Sequence, residues 1–239
     1  MTSAIEKRPR TSFGQSRLSW LESRHHFSFG TYFNPDRHRF GALRVVNDDL
    51  IAAGAGFDMH THKDMEIITY VTKGAVHHRD SLGNHGVTGA GSVQVMSAGS
   101  GIAHAEFADP ATDTHLFQIW LTPSSNSIAP RWDHVDMPKD NTGENWTLLA
   151  SGFDDDLTRP GVLQIHQAAR LLTQHIAPGD TQTLDVTRSG YAIVTSGSVT
   201  AQDHDFGMGD AMAIARPCTA SLQAGPDGAC ILYLDLPLV

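Results

Sequence analysis

Two pairs of potential metal ligands dominate the chemistry that this sequence offers. His60 and His62 are separated by one residue, and His104 and Glu106 repeat that spacing further along the chain. Residues two apart on a β-strand point to the same face of the sheet, so each pair aims two donor atoms in one direction. If the two strands are neighbours, three imidazoles and one carboxylate converge, and such a donor set can bind one transition-metal ion.

The residues around each pair indicate strands. Phe57 and Met59 alternate with His60 and His62, which places apolar side chains on one face and ligands on the other. The second pair follows a turn of small residues, Gly99-Ser100-Gly101, where the backbone can approach its neighbours closely. The chain has 14 histidines, so one His-x-His pair alone is weak evidence, and the prediction depends on the second pair and on the strand context.

A second carboxylate competes for the same site. Glu66 lies four residues after His62, so an unbroken strand would place it on the ligand face. Glu106 is spaced more closely to its own histidine, His104. The spacing alone leaves both glutamates open as the fourth ligand.

The charge balance limits the partners that we expect. Lys plus Arg is 17 and Asp plus Glu is 26, which gives a formal net charge of −9. Phosphate groups would be repelled overall, so we expect neither direct nucleic-acid binding nor attachment to an anionic membrane. The sequence shows neither an apolar run of roughly 20 residues nor a signal peptide. Cys218 and Cys230 form no C-x-x-C motif and are read as reduced thiols, which favours a cytoplasmic location.

Short β-rich segments separated by glycine turns follow one another along the whole chain. This pattern predicts an all-β fold of antiparallel barrels or sandwiches, with short helical or irregular connections. A polar segment with two prolines at residues 129–145 is expected to be a linker. We therefore expect one domain at residues 1–128, which carries the metal site, and a second domain at 146–239.

The two halves show a faint internal repeat. A strand, a glycine turn and a second strand at residues 71–76 recur at residues 194–199, and a similar glycine-containing segment follows each copy. In the second half, residues 174–176 read Gln-His-Ile where the first half has its His-x-His. The repeat predicts a duplicated barrel whose second copy lacks the metal ligands.

These residues carry a resemblance to the cupin superfamily and, within it, to the pirin family of two-domain cupins. Gly54, His60, His62, Glu66 and Gly74 are spaced as in the first cupin motif, and residues 91–104 resemble the second. The longer segments that resemble pirins are HHFSFGTYF at 25–33, HTHKDME at 60–66, HRDSLGN at 78–84, MSAGSGIAHAE at 96–106 and FQIWL at 117–121.

The resemblance implies two tandem cupin domains and a defined ligand set. By analogy with pirins, the metal ligands would be His60, His62, His104 and Glu106, while Glu66 would orient a ligand or support the strand turn. The sequence departs from the general cupin pattern because Ser97 stands at the usual proline position and the final asparagine of the second motif is missing. We expect one divalent metal, iron(II) first, with zinc, nickel, copper or manganese as alternatives.

The pirin resemblance also implies an activity. It implies quercetin 2,3-dioxygenase activity, in which the central ring of a flavonol is cleaved oxidatively, so we expect a metal-dependent dioxygenase that uses a small aromatic substrate and dioxygen. Glu106 would be the catalytic base that takes the proton of the substrate's 3-hydroxyl group. The alternative, also implied by the family, is a non-catalytic regulatory or redox-sensing protein that binds a protein partner.

Other residues attract weaker hypotheses. A metal-dependent sugar-phosphate isomerase would need cationic phosphate clamps, and Lys63 and Arg79 are the only cations near the motifs. His77 and His78 are adjacent, so on a strand they face opposite ways. We expect His78 at the surface, with entry into the cavity as the alternative.

Overall fold

The computed structural model describes residues 4–136 and 145–239 of the chain. As the sequence predicts, regular structure is almost entirely β-strand, and a short α-helix, α1 (Asp154–Leu157), and a 3-10 turn (Arg10–Ser12) are the helical segments of this part. The strands are, in chain order, β1 (Ile5–Arg8), β2 (Gly14–Arg17), β3 (Leu21–His25), β4 (Leu43–Ile51), β5 (Gly56–His62), β6 (Glu66–Lys73), β7 (Ala75–Asp80), β8 (His85–Gly89), β9 (Val93–Ser97), β10 (Ile102–Ala108), β11 (Thr114–Leu121), β12 (Arg131–Val135), β13 (Thr147–Ser151), β14 (Leu163–Gln164), β15 (Arg170–Ile176), β16 (Thr181–Val186), β17 (Ser189–Ala201), β18 (His204–Gly207), β19 (Ala211–Ile214) and β20 (Cys218–Leu236).

The described residues form two compact units. The first unit comprises residues 14–136 and 152–167, and the second comprises residues 4–13, 145–151 and 168–239. The amino-terminal strand β1 belongs to the second unit, where it pairs antiparallel with β19. The boundaries that the sequence predicts, at residues 128 and 146, stay a prediction.

The segment predicted as a linker contributes a strand to the first unit. β12 pairs antiparallel with β9, with Trp132 opposite Met96. Trp132 packs against a core cluster that contains Met96, and this apolar burial explains why the polar segment is ordered there. The remainder of the predicted linker, residues 137–144, lies outside the described residues.

The first unit is built from two antiparallel sheets. A four-stranded sheet has the order β5-β10-β7-β8, and a seven-stranded sheet has the order β12-β9-β6-β11-β4-β3-β2. β6 and β11 are rich in β-branched and aromatic residues, which favour strands, and both are buried along most of their length. Residues of both sheets line one cavity of about 410 Å³.

The second unit has its own sheet and its own core. Its central strands run in the order β1-β19-β17-β20-β15-β13, with β16 paired to β20 and β18 paired to β17. Buried aliphatic and aromatic side chains, among them Phe206, Ile231 and Leu222, form its core. Cys230 is buried in this unit, and both it and Cys218 are free cysteines. Across the described ranges of the chain, we find no helix with the length and apolar character needed to cross a membrane.

Candidate metal centre

The two strands that carry the ligand pairs are hydrogen-bonded neighbours, as the sequence predicts. β10 pairs antiparallel with β5, and in this register His104 lies opposite His60 and Ile102 lies opposite His62. Two short segments that are distant along the chain therefore place three imidazoles on adjacent positions of one sheet.

Glycines let the backbone come close on both sides of this pairing. The register shifts between His104 and Glu106, where β5 has one residue more than β10. Gly56 lies at this bulge, and a Cβ atom there would collide with the Glu106 carbonyl oxygen. Gly99 has φ +46°, and a Cβ atom there would collide with the Ile128 carbonyl oxygen. The turn before β10 thus uses glycine for the close approach that the sequence indicated.

Three histidines form a compact group. Ring centroids are 4.5 Å apart for His60 and His104, 4.8 Å for His60 and His62, and 5.0 Å for His62 and His104. One ring nitrogen from each residue lies within 4.8 Å of the others, so one ion could be reached by all three. The three rings lie together as the sequence predicts, and their role as metal ligands stays a prediction.

The hydrogen-bond state of these rings suits metal binding. His60 Nδ1 lies 2.7 Å from the carbonyl oxygen of Asp58, and since a carbonyl only accepts, Nδ1 carries the hydrogen and Nε2 of the neutral ring keeps its lone pair. Both ring nitrogens of His104 are buried without a hydrogen-bond partner among the described residues. An unpartnered buried imidazole is costly in water-free surroundings, and a metal ion would satisfy it.

Burial also keeps two of the rings neutral. Burial, together with the neighbouring imidazoles, lowers the pKa of His62 to about 4 and that of His104 to about 3. Both rings therefore have a free lone pair at neutral pH, which is the form that binds a metal. Three imidazoles with ring nitrogens this close together, two of them buried and neutral, fit a divalent transition metal.

Glu106 lies beside this group and is held by the opposite sheet. Its Oε1 accepts hydrogen bonds from Gln94 Nε2 (2.6 Å) and Thr69 Oγ1 (3.2 Å), and its Oε2 accepts one from Gln118 Nε2 (2.9 Å). Burial raises the pKa of Glu106, although nearby His78 and the hydrogen bonds from Gln118 and Thr69 oppose that shift. A carboxylate oxygen lies within 4.8 Å of ring nitrogens of His78 and His104, so Glu106 falls into a second donor group that shares His104 with the first.

Glu66 lies elsewhere in the unit. It is fully buried on β6, where its Oε2 accepts hydrogen bonds from Ser97 Oγ (2.8 Å) and from the backbone N–H of His166 (3.0 Å). Neither donor group includes it. Of the two glutamates that the spacing left open, Glu106 is the one near the histidines.

The prediction that His78 lies at the surface is wrong. Its side chain is buried, it stacks on Trp132 with ring centroids 4.5 Å apart, and its Nε2 donates to Asp80 Oδ2 at 3.1 Å. Its pairing explains the burial, because β7 lies next to β10 and His78 lies opposite Glu106. Asp80 also accepts hydrogen bonds from the backbone N–H groups of Leu82 and Asn84, and so stabilises the turn after β7.

The cavity beside the histidines includes residues that sequence reasoning missed. The seven-stranded sheet contributes polar side chains and apolar ones to its wall, and the loop after β3 adds Phe29. These cavity residues are Ser16, Ser23, His25, Asn47, Asp49, Gln118, Leu21, Ile67 and Trp120. One signal was available, since residues 47–49 put three consecutive polar residues into a strand, which is unusual unless they serve a site.

Comparisons with known proteins agree with this geometry. The sequence model described as pirin matches residues 6–121, and the model described as the quercetinase C-terminal cupin domain matches residues 148–236. A pirin-like protein of Caulobacter vibrioides is 42% identical over 95% of this chain and 98% of its own length. A quercetin 2,3-dioxygenase of Escherichia coli K12 is 38% identical over 95% of this chain and 96% of its own length.

A solved structure shows the same fold with a metal. The bacterial pirin YhhW from Escherichia coli, in complex with nickel(II), superposes with a TM-score of 0.89 and 37% identity, covering 98% of this chain and 100% of that one. The identity and coverage of these relatives extend well beyond the histidine motifs into both cupin domains. The chain belongs to the pirin family of two-domain cupins.

Proposed function

We propose that this protein is a metal-dependent dioxygenase that cleaves flavonols such as quercetin. The observation that supports it most is the convergence of His60, His62 and His104 on one wall of a largely apolar cavity. The cavity volume of about 410 Å³ lies within the range of small-molecule sites. The dioxygenase name of the Escherichia coli relative supports the same reaction class.

His60, His62 and His104 would hold the metal, and Glu106 would complete the set. Iron(II) is our first choice, and zinc, nickel, copper and manganese accept the same donors. A bound transition metal supplies a Lewis acid and a redox centre for the reaction with dioxygen. The tautomer of His60, fixed by the Asp58 carbonyl, presents Nε2 for this purpose.

Glu106 would take the proton from the 3-hydroxyl group of the flavonol. Its raised pKa makes the carboxylate a better proton acceptor than an exposed glutamate. Gln94 and Gln118 hold both oxygens in place, so the acceptor is oriented before the substrate arrives.

The apolar wall has a separate task. Phe57 and Trp120 line the cavity, and Phe29 packs edge-on against Trp120 at 5.5 Å. Such side chains bind a flat ring system and exclude water from the reacting atoms.

Oxygen uptake tests the proposal. Protein purified without oxygen and loaded with iron(II), nickel(II) or copper(II) should consume dioxygen when quercetin is added, and the His104→Ala variant treated in the same way should not. If every metal-bound preparation fails to consume dioxygen with any flavonol, the dioxygenase proposal is wrong. The regulatory alternative would then be tested by partner binding that survives His60→Ala.

A further inference from the structure

The cavity has a second polar wall that the metal chemistry does not use. It is formed by neighbouring strands of the seven-stranded sheet, because β3 and β4 pair with Ser23 opposite Asp49 and His25 opposite Asn47. All four residues line the cavity, whereas the histidines of the metal centre lie on the four-stranded sheet. The two polar regions therefore belong to different sheets.

Most polar side chains of this wall form hydrogen bonds with one another. His25 Nδ1 is 2.8 Å from Asn47 Oδ1, and its Nε2 is 2.7 Å from Ser16 Oγ. Asp49 accepts a hydrogen bond from the side chain of Ser23. Its Oδ1, however, is buried and has no hydrogen-bond partner among the residues that the structure describes.

The unpartnered oxygen of Asp49 favours a ligand that brings a hydrogen-bond donor. Asp49 is 3% exposed and shares the cavity with Phe57, Ile67 and Trp120. A buried carboxylate oxygen without a donor is unfavourable, and a ligand that brings an O–H group recovers that free energy. The apolar neighbours at the same time favour a flat ring that carries this group.

We propose that Asp49 is a specificity-determining residue that accepts a hydrogen bond from a substrate hydroxyl group other than the one at the metal centre. The choice of flavonols as probes rests on the proposed function. The ligand chemistry that the wall calls for is a planar aromatic ring with a hydroxyl group.

Three further points support this role. Burial raises the pKa of Asp49 to about 7, with nearby Asp48 and Glu106 adding to the shift, as expected for a buried carboxylate with few hydrogen-bond donors. The last torsion of an aspartate side chain is broad, so its oxygens can turn toward a ligand at little cost. Asp48, the adjacent residue on β4, pairs instead with His115 Nε2 at 2.5 Å and does not line the cavity.

The test compares the binding of two flavonols. Quercetin carries hydroxyl groups on its outer rings, and 3-hydroxyflavone carries only the 3-hydroxyl group. Their dissociation constants are measured by titration calorimetry on metal-loaded protein, without oxygen, at pH 8, where Asp49 is mostly ionised. The wild-type protein should bind quercetin about 10- to 100-fold more tightly, which is the range of one hydrogen bond to a charged group.

Asp49→Leu should reduce this ratio to within about threefold of one, since leucine has similar size and no acceptor. Asp48→Asn is the matched control and should keep the wild-type ratio. If Asp49→Leu does not fold, Asp49→Asn replaces it and should give an intermediate ratio, because a neutral acceptor forms the weaker bond. A wild-type ratio near one, or an unchanged ratio in the Asp49 variants, would overturn the subsite.

The two proposals fail in different ways. If Asp49 sets the affinity ratio of the two flavonols but the protein consumes no dioxygen, the subsite proposal stands and the dioxygenase proposal is wrong. If the protein consumes dioxygen but binds both flavonols with equal affinity, the dioxygenase proposal stands and the subsite proposal is wrong.

Discussion

Gln118→Met tests whether Glu106 takes part in metal binding. Gln118 Nε2 donates to Glu106 Oε2 at 2.9 Å, and it is the donor that we find for this oxygen in the described part of the chain. Methionine has nearly the same length and lacks the amide, so with little effect on packing the change removes this hydrogen bond and the one that Gln118 Oε1 accepts from Thr69 Oγ1 at 3.1 Å. It thereby disturbs Glu106 without altering any residue of the histidine group.

Two magnitudes follow from this geometry. A buried hydrogen bond to a charged group contributes about 1.5–3 kcal/mol and a neutral one about 0.5–1.5 kcal/mol, so the metal-free variant should lose about 2–4.5 kcal/mol of the free energy of unfolding at a pH where Glu106 is ionised. This loss of stability should shrink at acidic pH. The variant lacks a donor to the charged carboxylate, so the pKa of Glu106 is higher in the variant than in the wild type, and at low pH protonation removes the buried charge from both. If Glu106 is a ligand, metal affinity should fall about 10- to 100-fold, as is typical for the partners of metal ligands.

Competition with a chelator measures the affinity, and urea unfolding measures the stability. Gln15→Met is a suitable control, since Gln15 is an exposed residue on β2 and the substitution is chemically the same. Glu106 is not a metal ligand if Gln118→Met loses stability as expected but binds metal within twofold of the wild-type affinity.

Three other predictions concern the same cavity. His62→Ala and His104→Ala should each reduce bound metal to near zero, measured by elemental analysis, while circular dichroism still shows a folded β protein; a metal content near that of the wild type would contradict this. Glu106→Gln should retain more metal than His104→Ala but lose at least about 100-fold in kcat for quercetin, the contribution of a general base, and full activity in this variant would defeat the role of Glu106. The folded-state pKa of Asp49 is about 7 against an ordinary 3.8. Between about pH 4 and pH 7 the folded wild type therefore keeps a proton that the unfolded chain loses, and its free energy of unfolding falls as the pH rises through this window. An asparagine side chain does not titrate, so the free energy of unfolding of Asp49→Asn, measured in urea, should exceed that of the wild type by an amount that grows over this window to at most about 4 kcal/mol and then levels off. A difference between the two proteins that does not change with pH would contradict the raised pKa of Asp49.

Much of this site could be predicted because its signals are local. The two-residue spacing of His60 and His62, and of His104 and Glu106, fixes which side chains share a face of a strand. The glycine turns predict short antiparallel strands, and the pairing of β5 with β10 then brings the three histidines together. For these residues, strand periodicity gave the shared faces, and the resemblance to pirins supplied the expectation that the two strands are neighbours.

The parts that could not be predicted depend on pairings between strands that are distant in sequence. The burial of His78 requires β7 to lie beside β10, and no local pattern reports that neighbour. The same holds for Asp49, whose position in the cavity depends on the packing of the seven-stranded sheet against the four-stranded one. Likewise, β1 pairs with β19 near the other end of the chain, which a division into consecutive domains does not anticipate.

The most direct test of the account is the coordination of the bound metal. X-ray absorption spectroscopy on zinc-loaded protein should show one ion per chain with three imidazole ligands at about 2.0–2.1 Å and one carboxylate oxygen at a similar distance. A spectrum with one imidazole or none would mean that His60, His62 and His104 do not form a metal site, and the proposed function would lose its basis.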